Sequence, residues 1–242
     1  MDKKVLIING SARRQNTFGL LAQIEQLLKK HDIETEMLHL FDYTIGDCIG
    51  CEKCIYQDGC SLNDDMPLLK QKILDSDGVV FGSPVYMRGV TSKLKTLADR
   101  TCAWFHKPEP AAKPVLSVTT TVSTGVKAVE QFLASFATGF GARKGGFIVR
   151  KVKDLGKPIE EKEVARFVSL LKNDKSQYRP AMGEVVMFNV QKVLALKSSG
   201  TDNAFWQGSG WIDKPYYYGC KLGVFKKLFS KMMFGILSKA MK

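Results

Sequence analysis

Five apolar or alternating runs, each followed by a segment with helical spacing, recur between residues 5 and 171, and this rhythm leaves few folds open. The runs are Val5-Leu6-Ile7-Ile8 and residues 33–40, 78–82, 114–119 and 146–149; the helical segments are residues 17–30, 66–74, 92–101, 126–138 and 159–171. Strands alternating with helices build a parallel sheet with right-handed crossovers and helices on both faces. The expected class is therefore α/β, a three-layer sandwich around five parallel strands. Ligands of such sheets bind beyond the carboxyl ends of the strands, where the strand order reverses.

The first of those ends is Asn9-Gly10-Ser11-Ala12-Arg13-Arg14-Gln15-Asn16-Thr17. A helix start presents free N–H groups and a positive dipole end, and Ser11, Asn16 and Thr17 add side-chain donors, so the loop is a phosphate cradle. It holds a single glycine and lacks both the three-glycine dinucleotide pattern and the P-loop lysine, which favours a monophosphate ester. Two further ends, residues 83–89 and 119–125, are also polar and glycine-bearing. With strand order 2-1-3-4-5 the three loops lie side by side. Pro84 and Tyr86 then offer a rigid aromatic wall for a flat ring, and the hydroxyls and N–H groups of 119–125 face ring heteroatoms. Together they argue for flavin mononucleotide (FMN).

Four of the six cysteines, Cys48, Cys51, Cys54 and Cys60, lie within thirteen residues. In a chain read as cytoplasmic, such clustering points to metal before disulfides. Four thiolates suit an iron–sulfur cubane or a tetrahedral zinc, and a reduced, metal-free loop turned by Gly46, Gly50 and Gly59 is the third reading. Cys102 and Cys220 read as apolar packing residues.

The net charge of +12 is uneven: residues 176–242 hold ten Lys/Arg against three Asp/Glu. No zinc finger, ribonucleoprotein signature or helix-turn-helix pattern accompanies it, so nucleic acid is not the expected partner. No apolar stretch reaches the length of a spanning helix, and the short N-terminal run is not a signal peptide.

At Gly10-Ser11-Ala12-Arg13 with Asn16-Thr17, the cysteine run followed by Asp64-Asp65-Met66, Gly82-Ser83-Pro84-Val85-Tyr86, and Lys95 with Asp99-Arg100, the chain resembles the NADPH-dependent FMN reductase family, most of all its iron–sulfur flavoprotein branch. The resemblance spans about residues 3–175. It implies a flavodoxin-like fold, bound FMN, and a homodimer or homotetramer whose neighbouring chains complete the flavin site. It assigns phosphate contacts to Ser11, Arg13, Asn16 and Thr17. Ring and ribityl contacts fall on Pro84, Val85, Tyr86, Met87, Thr121 and Gly125, and ligation of a [4Fe-4S] cluster falls on Cys48, Cys51, Cys54 and Cys60.

The expected organisation is a flavodoxin-like domain over residues 1–175, with its cysteine loop at 46–62, and an extension over 176–242. Phe205, Trp206, Trp211 and Tyr216-Tyr217-Tyr218 make the extension too aromatic for a linker, so it should pack on the core or a partner subunit. Residues 221–242 read as a basic amphipathic helix with six lysines and no acid. Docking on protein, here a second subunit, is its commoner use; peripheral contact with an anionic membrane is the other.

The functional expectation is an NAD(P)H-dependent flavin oxidoreductase that passes electrons to an external acceptor, through a cluster if one is bound. The alternatives are a cluster-free quinone, nitro or flavin reductase and a non-enzymatic electron carrier. The hydride chemistry belongs to the cofactor, so no catalytic acid or base is named. His31, His39 and His106 are expected away from the three loops.

Overall fold

The strand β1 (Lys3–Asn9) buries Leu6 and Ile8 on one face and Val5 and Ile7 on the other, as a central strand with helices on both sides must. The computed structural model describes residues 3–57, 59–198 and 200–240. After β1 come α1 (Asn16–Lys30), β2 (Ile33–His39), α2 (Lys53–Tyr56), α3 (Met66–Asp75), β3 (Gly78–Pro84), α4 (Ser92–Arg100), α5 (Ala103–His106), β4 (Pro114–Thr121), α6 (Val126–Gly139), β5 (Arg143–Lys151) and α7 (Glu161–Lys172). All strand pairings are parallel and the order is β2-β1-β3-β4-β5.

Alternate residues of the strands feed two cores. Leu6, Ile8, Val79 and Phe81 pack against α3, α4 and α6 through Leu69, Ile73, Leu94, Leu97, Val129 and Leu133. Val5, Ile7, Val80, Leu116 and Val118 pack against α1 and α7 through Leu20, Leu21, Ile24, Phe167 and Leu171. The expected three-layer flavodoxin-like sandwich is the observed fold.

Two local expectations change. The last strand runs over Arg143–Lys151 rather than residues 146–149, because its two glycines do not interrupt it. The pairing steps from Val115↔Lys144 to Leu116↔Gly146, so Gly145 is the extra residue of a bulge; a Cβ there would lie 2.6 Å from Cδ2 of Phe167. The acids before α3 invite reading as its caps, yet Asp65, the residue before the helix, makes no side-chain cap bond. The Asp64 carboxylate accepts from Met66 N at 3.0 Å and from Gly46 N at 2.9 Å, while Asp65 accepts from Thr44 N at 2.7 Å. Both acids thus fasten the start of the cysteine loop.

The extension forms α8 (Met182–Lys197), α9 (Thr201–Gly208) and α10 (Val224–Ala240). It packs on this chain's own core around a third cluster built from Tyr178, Phe188, Trp206, Tyr216, Tyr217 and Tyr218. Hydrogen bonds tie it down: Gln191 Nε2 donates to Gly139 O at 2.6 Å, Trp206 Nε1 to His106 O at 2.8 Å, and Tyr178 Oη accepts from Lys144 N at 3.2 Å. The expected terminal helix begins at Val224; residues 241 and 242 lie outside the described residues. Among the described residues no helix is long and apolar enough to cross a membrane.

Candidate functional site

The carboxyl ends of β1, β3 and β4 stand side by side, and their loops are knitted at the rim. Gly10 N donates to Gly82 O at 2.8 Å, and a Cβ on Gly10 would lie 2.9 Å from that same oxygen, so the close pass requires glycine. Thr91 Oγ1 donates to Gly10 O at 2.6 Å. Thr17 Oγ1 and Thr120 Oγ1 are 2.7 Å apart, Val85 N donates to Thr120 O at 2.8 Å, and Thr119 Oγ1 donates to Ser83 O at 2.7 Å.

Of the first-loop residues, Ser11 and Thr17 are buried and Arg13 and Asn16 are exposed. Ser11 Oγ accepts from Arg13 N at 3.3 Å, and Arg13 Nη2 reaches Tyr86 Oη at 3.4 Å, joining first loop to second. The first turn of α1 carries no acid and no side-chain cap, which keeps its positive end available to an anion.

The second loop is a tight reversal in which Tyr86 and Gly89 exchange both backbone hydrogen bonds, at 2.9 and 2.8 Å. Its central residues, Met87 and Arg88, have φ of 45° and 63°, the left-handed geometry of a primed turn usually made by Asn-Gly. Such a conformation in non-glycine residues costs about 1–3 kcal/mol each and persists where the surroundings impose it. It holds Met87 fully exposed and Tyr86 standing clear of the core, with Pro84 and Val85 half-buried behind them. In the third loop Thr121 Oγ1 donates to Thr124 O at 2.7 Å. Gly125 closes that loop at φ 85°, where a Cβ would stand 2.6 Å from Val85 Cγ1 and 3.1 Å from Arg88 Cα.

One histidine is not where it was expected. His39 ends β2 opposite Asn9, and its Nδ1 lies 3.0 Å from Asn9 Nδ2. Burial, with Arg14 nearby, lowers the His39 pKa and favours a neutral ring that accepts this bond. Asn9 Oδ1 in turn accepts from Ser11 N at 3.1 Å, so His39 and Asn9 shape the first loop. Strand order 2-1 carried the signal, since it sets the end of β2 beside the end of β1. Thr120 was missed because its role depends on which strand face meets α1. His31 and His106 do lie elsewhere, beside Glu161 and Asp202.

The cysteine loop closes over a cavity of about 70 Å³ lined by Cys48, Cys51, Cys54 and Cys60. Cys102, expected to be a packing residue, is a fifth thiol on that cavity: its Sγ is 3.4 Å from Cys54 Sγ. The short α2, unforeseen inside the loop, turns Cys54 toward it. Among the described residues no three His, Cys, Asp or Glu side chains close on one point as metal ligands, so the thiols share a wall without converging. Arg100 completes the wall, with Nη2 3.5 Å from Cys60 Sγ. Its guanidinium is 1% exposed and paired with Asp64, itself 7% exposed, at 2.6 and 3.0 Å. The Arg100 hydrogen bonds hold the Asp64 carboxyl at about 2. Hydrogen bonding from Ser61 lowers the exposed Cys51 thiol, whereas burial pushes Cys102 up to about 12. Helix α4 connects the two regions: the residue preceding it, Thr91, holds Gly10, its last, Arg100, holds the cysteine cavity, and nine residues of helix span about 13 Å.

Residues 3–149 match the family model for NADPH-dependent FMN reductase. An iron-sulfur flavoprotein of Archaeoglobus fulgidus is 42% identical over 97 residues, 40% of this chain and 48% of that protein. One from Methanocaldococcus jannaschii is 39% identical over 98 residues, so the chain spans about half the length of both relatives. A second Archaeoglobus fulgidus iron-sulfur flavoprotein is 28% identical over 229 residues, 86% of this chain and all of its own. Among solved structures, RosB with a bound 8-demethyl-8-formylriboflavin-5′-phosphate intermediate superposes with a TM-score of 0.55 at 15% identity, covering 90% of this chain and 83% of its own. An NAD(P)H:quinone oxidoreductase from Methanothermobacter marburgensis gives 0.53 at 14% identity over 71% and 94%. These two likenesses are of fold. The motifs, the strand order and the family match agree, and the chain belongs to the NADPH-dependent FMN reductase family, on its iron–sulfur flavoprotein branch.

Proposed function

We propose that the protein is an FMN-dependent oxidoreductase that takes a hydride from NAD(P)H and delivers electrons to an external acceptor. The observation that carries this reading is the rim itself: three loops of adjacent parallel strands tied by Arg13–Tyr86, Thr17–Thr120 and Gly10–Gly82, with glycine at the points where a Cβ would collide. Ser11, Arg13, Asn16 and Thr17 would hold the monophosphate. Pro84, Val85, Tyr86 and Met87 would wall the ring, and the Thr121–Gly125 loop would meet its heteroatoms. FMN, when bound, supplies hydride acceptance and release of electrons one or two at a time.

The residues orient and exclude rather than exchange protons. The primed turn sets the height of the wall, and Arg13 places positive charge beside the phosphate loop. Tyr86, Met87 and Val122 remain exposed around the shelf, as fits a homodimer or homotetramer in which a neighbour covers it.

The cysteine cavity suits a [4Fe-4S] group in its donor chemistry: four thiols of one loop, an apolar lining and a buried cation. Cys48, Cys51, Cys54 and Cys60 would ligate it, and it would add single-electron transfer to the flavin. A cluster-free reductase is the second reading, favoured by thiols that do not converge and by the Cys54–Cys102 approach.

Protein purified without air tests both. A flavin spectrum bleached by NADPH or NADH, with about four irons and four sulfides per chain, is the expected result for a cubane. Bleaching without iron leaves the flavin-only enzyme. A flavin that neither nucleotide reduces but ferredoxin does makes the chain a carrier, and absence of flavin overturns the proposal.

A further inference from the structure

Helix α10 docks on α8 by one side only. On that side Ser230 is buried and its hydroxyl accepts from Asn189 Nδ2 at 2.8 Å, Lys226 Nζ donates to Pro180 O, and Lys192 Nζ lies 4.8 Å from the Phe234 ring centroid. The opposite side is apolar as well. Phe225, Leu228, Met232 and Ile236, three or four residues apart, are 71, 67, 55 and 52% exposed, and Val224 precedes them at 85%. Eleven helical steps make that stripe about 16 Å long. A surface helix of a globular protein turns polar residues outward, whereas this one keeps apolar residues on its outward side too.

Charge identifies what covers the stripe. Lys227 and Lys231 are exposed along one edge and Lys239 stands at its far end, with no acid anywhere in Val224–Ala240. A two-fold axis passing through the stripe would pair α10 with its own copy and bring the lysines of both helices together, with no carboxylate on either helix between them. An anionic lipid surface complements both halves of the pattern. The boundary between headgroups and acyl chains receives the apolar side chains, and the headgroups receive the lysines. The chain's net charge of +12, concentrated in the extension, adds long-range attraction of the same sign.

We propose that α10 lies flat on anionic phospholipid bilayers and holds the protein at a membrane surface without spanning it. The test is co-sedimentation of the full chain with vesicles of phosphatidylcholine alone and of phosphatidylcholine mixed with phosphatidylglycerol. Binding to the mixed vesicles, weak binding to the neutral ones and release by salt are expected. Leu228→Glu with Met232→Glu should weaken binding at least about tenfold. Lys227→Ala with Lys231→Ala, which spares the apolar stripe, should weaken it about thirtyfold at low salt, and it reports independently if the first pair unfolds the helix. Circular dichroism and sedimentation velocity accompany each variant. Equal binding to neutral vesicles, no binding to either kind, or an oligomer of the intact chain that the glutamate pair dissolves would each overturn the proposal, the last in favour of a second copy.

Discussion

The carboxyl edge of the sheet and the aromatic extension are assembled on opposite principles. At the edge the shape comes mainly from backbone, through glycines where a side chain cannot fit and a two-residue turn at positive φ, with short threonine hydroxyls bridging neighbouring loops. In the extension it comes from side chains: Phe188, Trp206, Trp211 and Tyr217 meet ring to ring at centroid distances of 4.8–6.0 Å. Backbone placement leaves an open, polar shelf that can admit a ligand. Aromatic packing leaves a filled core, whose buried hydroxyls are held protonated: burial pushes the Tyr216, Tyr217 and Tyr218 phenols far above their usual range. The difference separates the region proposed to bind from a region that stabilises.

The largest effect should come from the filled side. Trp206→Ala empties a fully buried ring site and should cost about 4 kcal/mol in urea unfolding, with FMN bound normally by the fraction that folds. Loss of flavin at unchanged stability would reverse the roles assigned to the two regions.

Next is the buried ion pair beside the cysteine cavity. Asp64→Ala leaves the Arg100 guanidinium buried and unpaired and should destabilise by about 3 kcal/mol. The same pair predicts an acid limb. The Asp64 pKa is depressed in the folded state, so its contribution is present above the unfolded value of about 4 and is lost as pH falls toward about 2, a drop of about 2 kcal/mol. The Asp64→Ala variant should lack that limb in unfolding curves recorded across this range.

A smaller change is expected at the shelf. Gly125→Ala forces a Cβ into Val85 at φ 85° and should lower stability by about 1–3 kcal/mol and weaken FMN binding by the folded chain about tenfold, or about 1.4 kcal/mol. Titration of the FMN-free chain reads the affinity directly, and unchanged affinity would remove the third loop from the flavin site. The smallest is Lys95→Ala, which breaks an exposed ion pair to Asp99 four residues on and should move stability by about 0.5 kcal/mol or less. A larger loss would mean that this face of α4 is covered in the assembled protein.

How far each region could be foreseen follows the same division. The shelf was legible because it depends on local chemistry. A strand ending in Asn9-Gly10-Ser11 and a helix beginning near Thr17 are neighbours in the chain, and five repeats of that unit imply the parallel sheet on which the loops line up. The last strand was read too short, as residues 146–149, whereas it runs through Gly145-Gly146, which serve a bulge and a close approach by Phe167. The contacts that could not be read are those between distant segments. Thr17 against Thr120, Cys54 against Cys102 and Arg100 against Asp64 are separated by 36 to 103 residues, and no spacing rule relates them.

By itself the sequence determined the α/β alternation, the polar strand ends, the thiol-rich loop and a basic amphipathic helix, because periodicity, turn chemistry and charge act over a few residues. Tertiary structure alone decided that Cys102 joins the thiol cavity, that Thr120 meets Thr17, and that α10 keeps an apolar face outward. Those outcomes depend on which surfaces remain after the helices have chosen their partners, and that choice is made by packing across the whole chain.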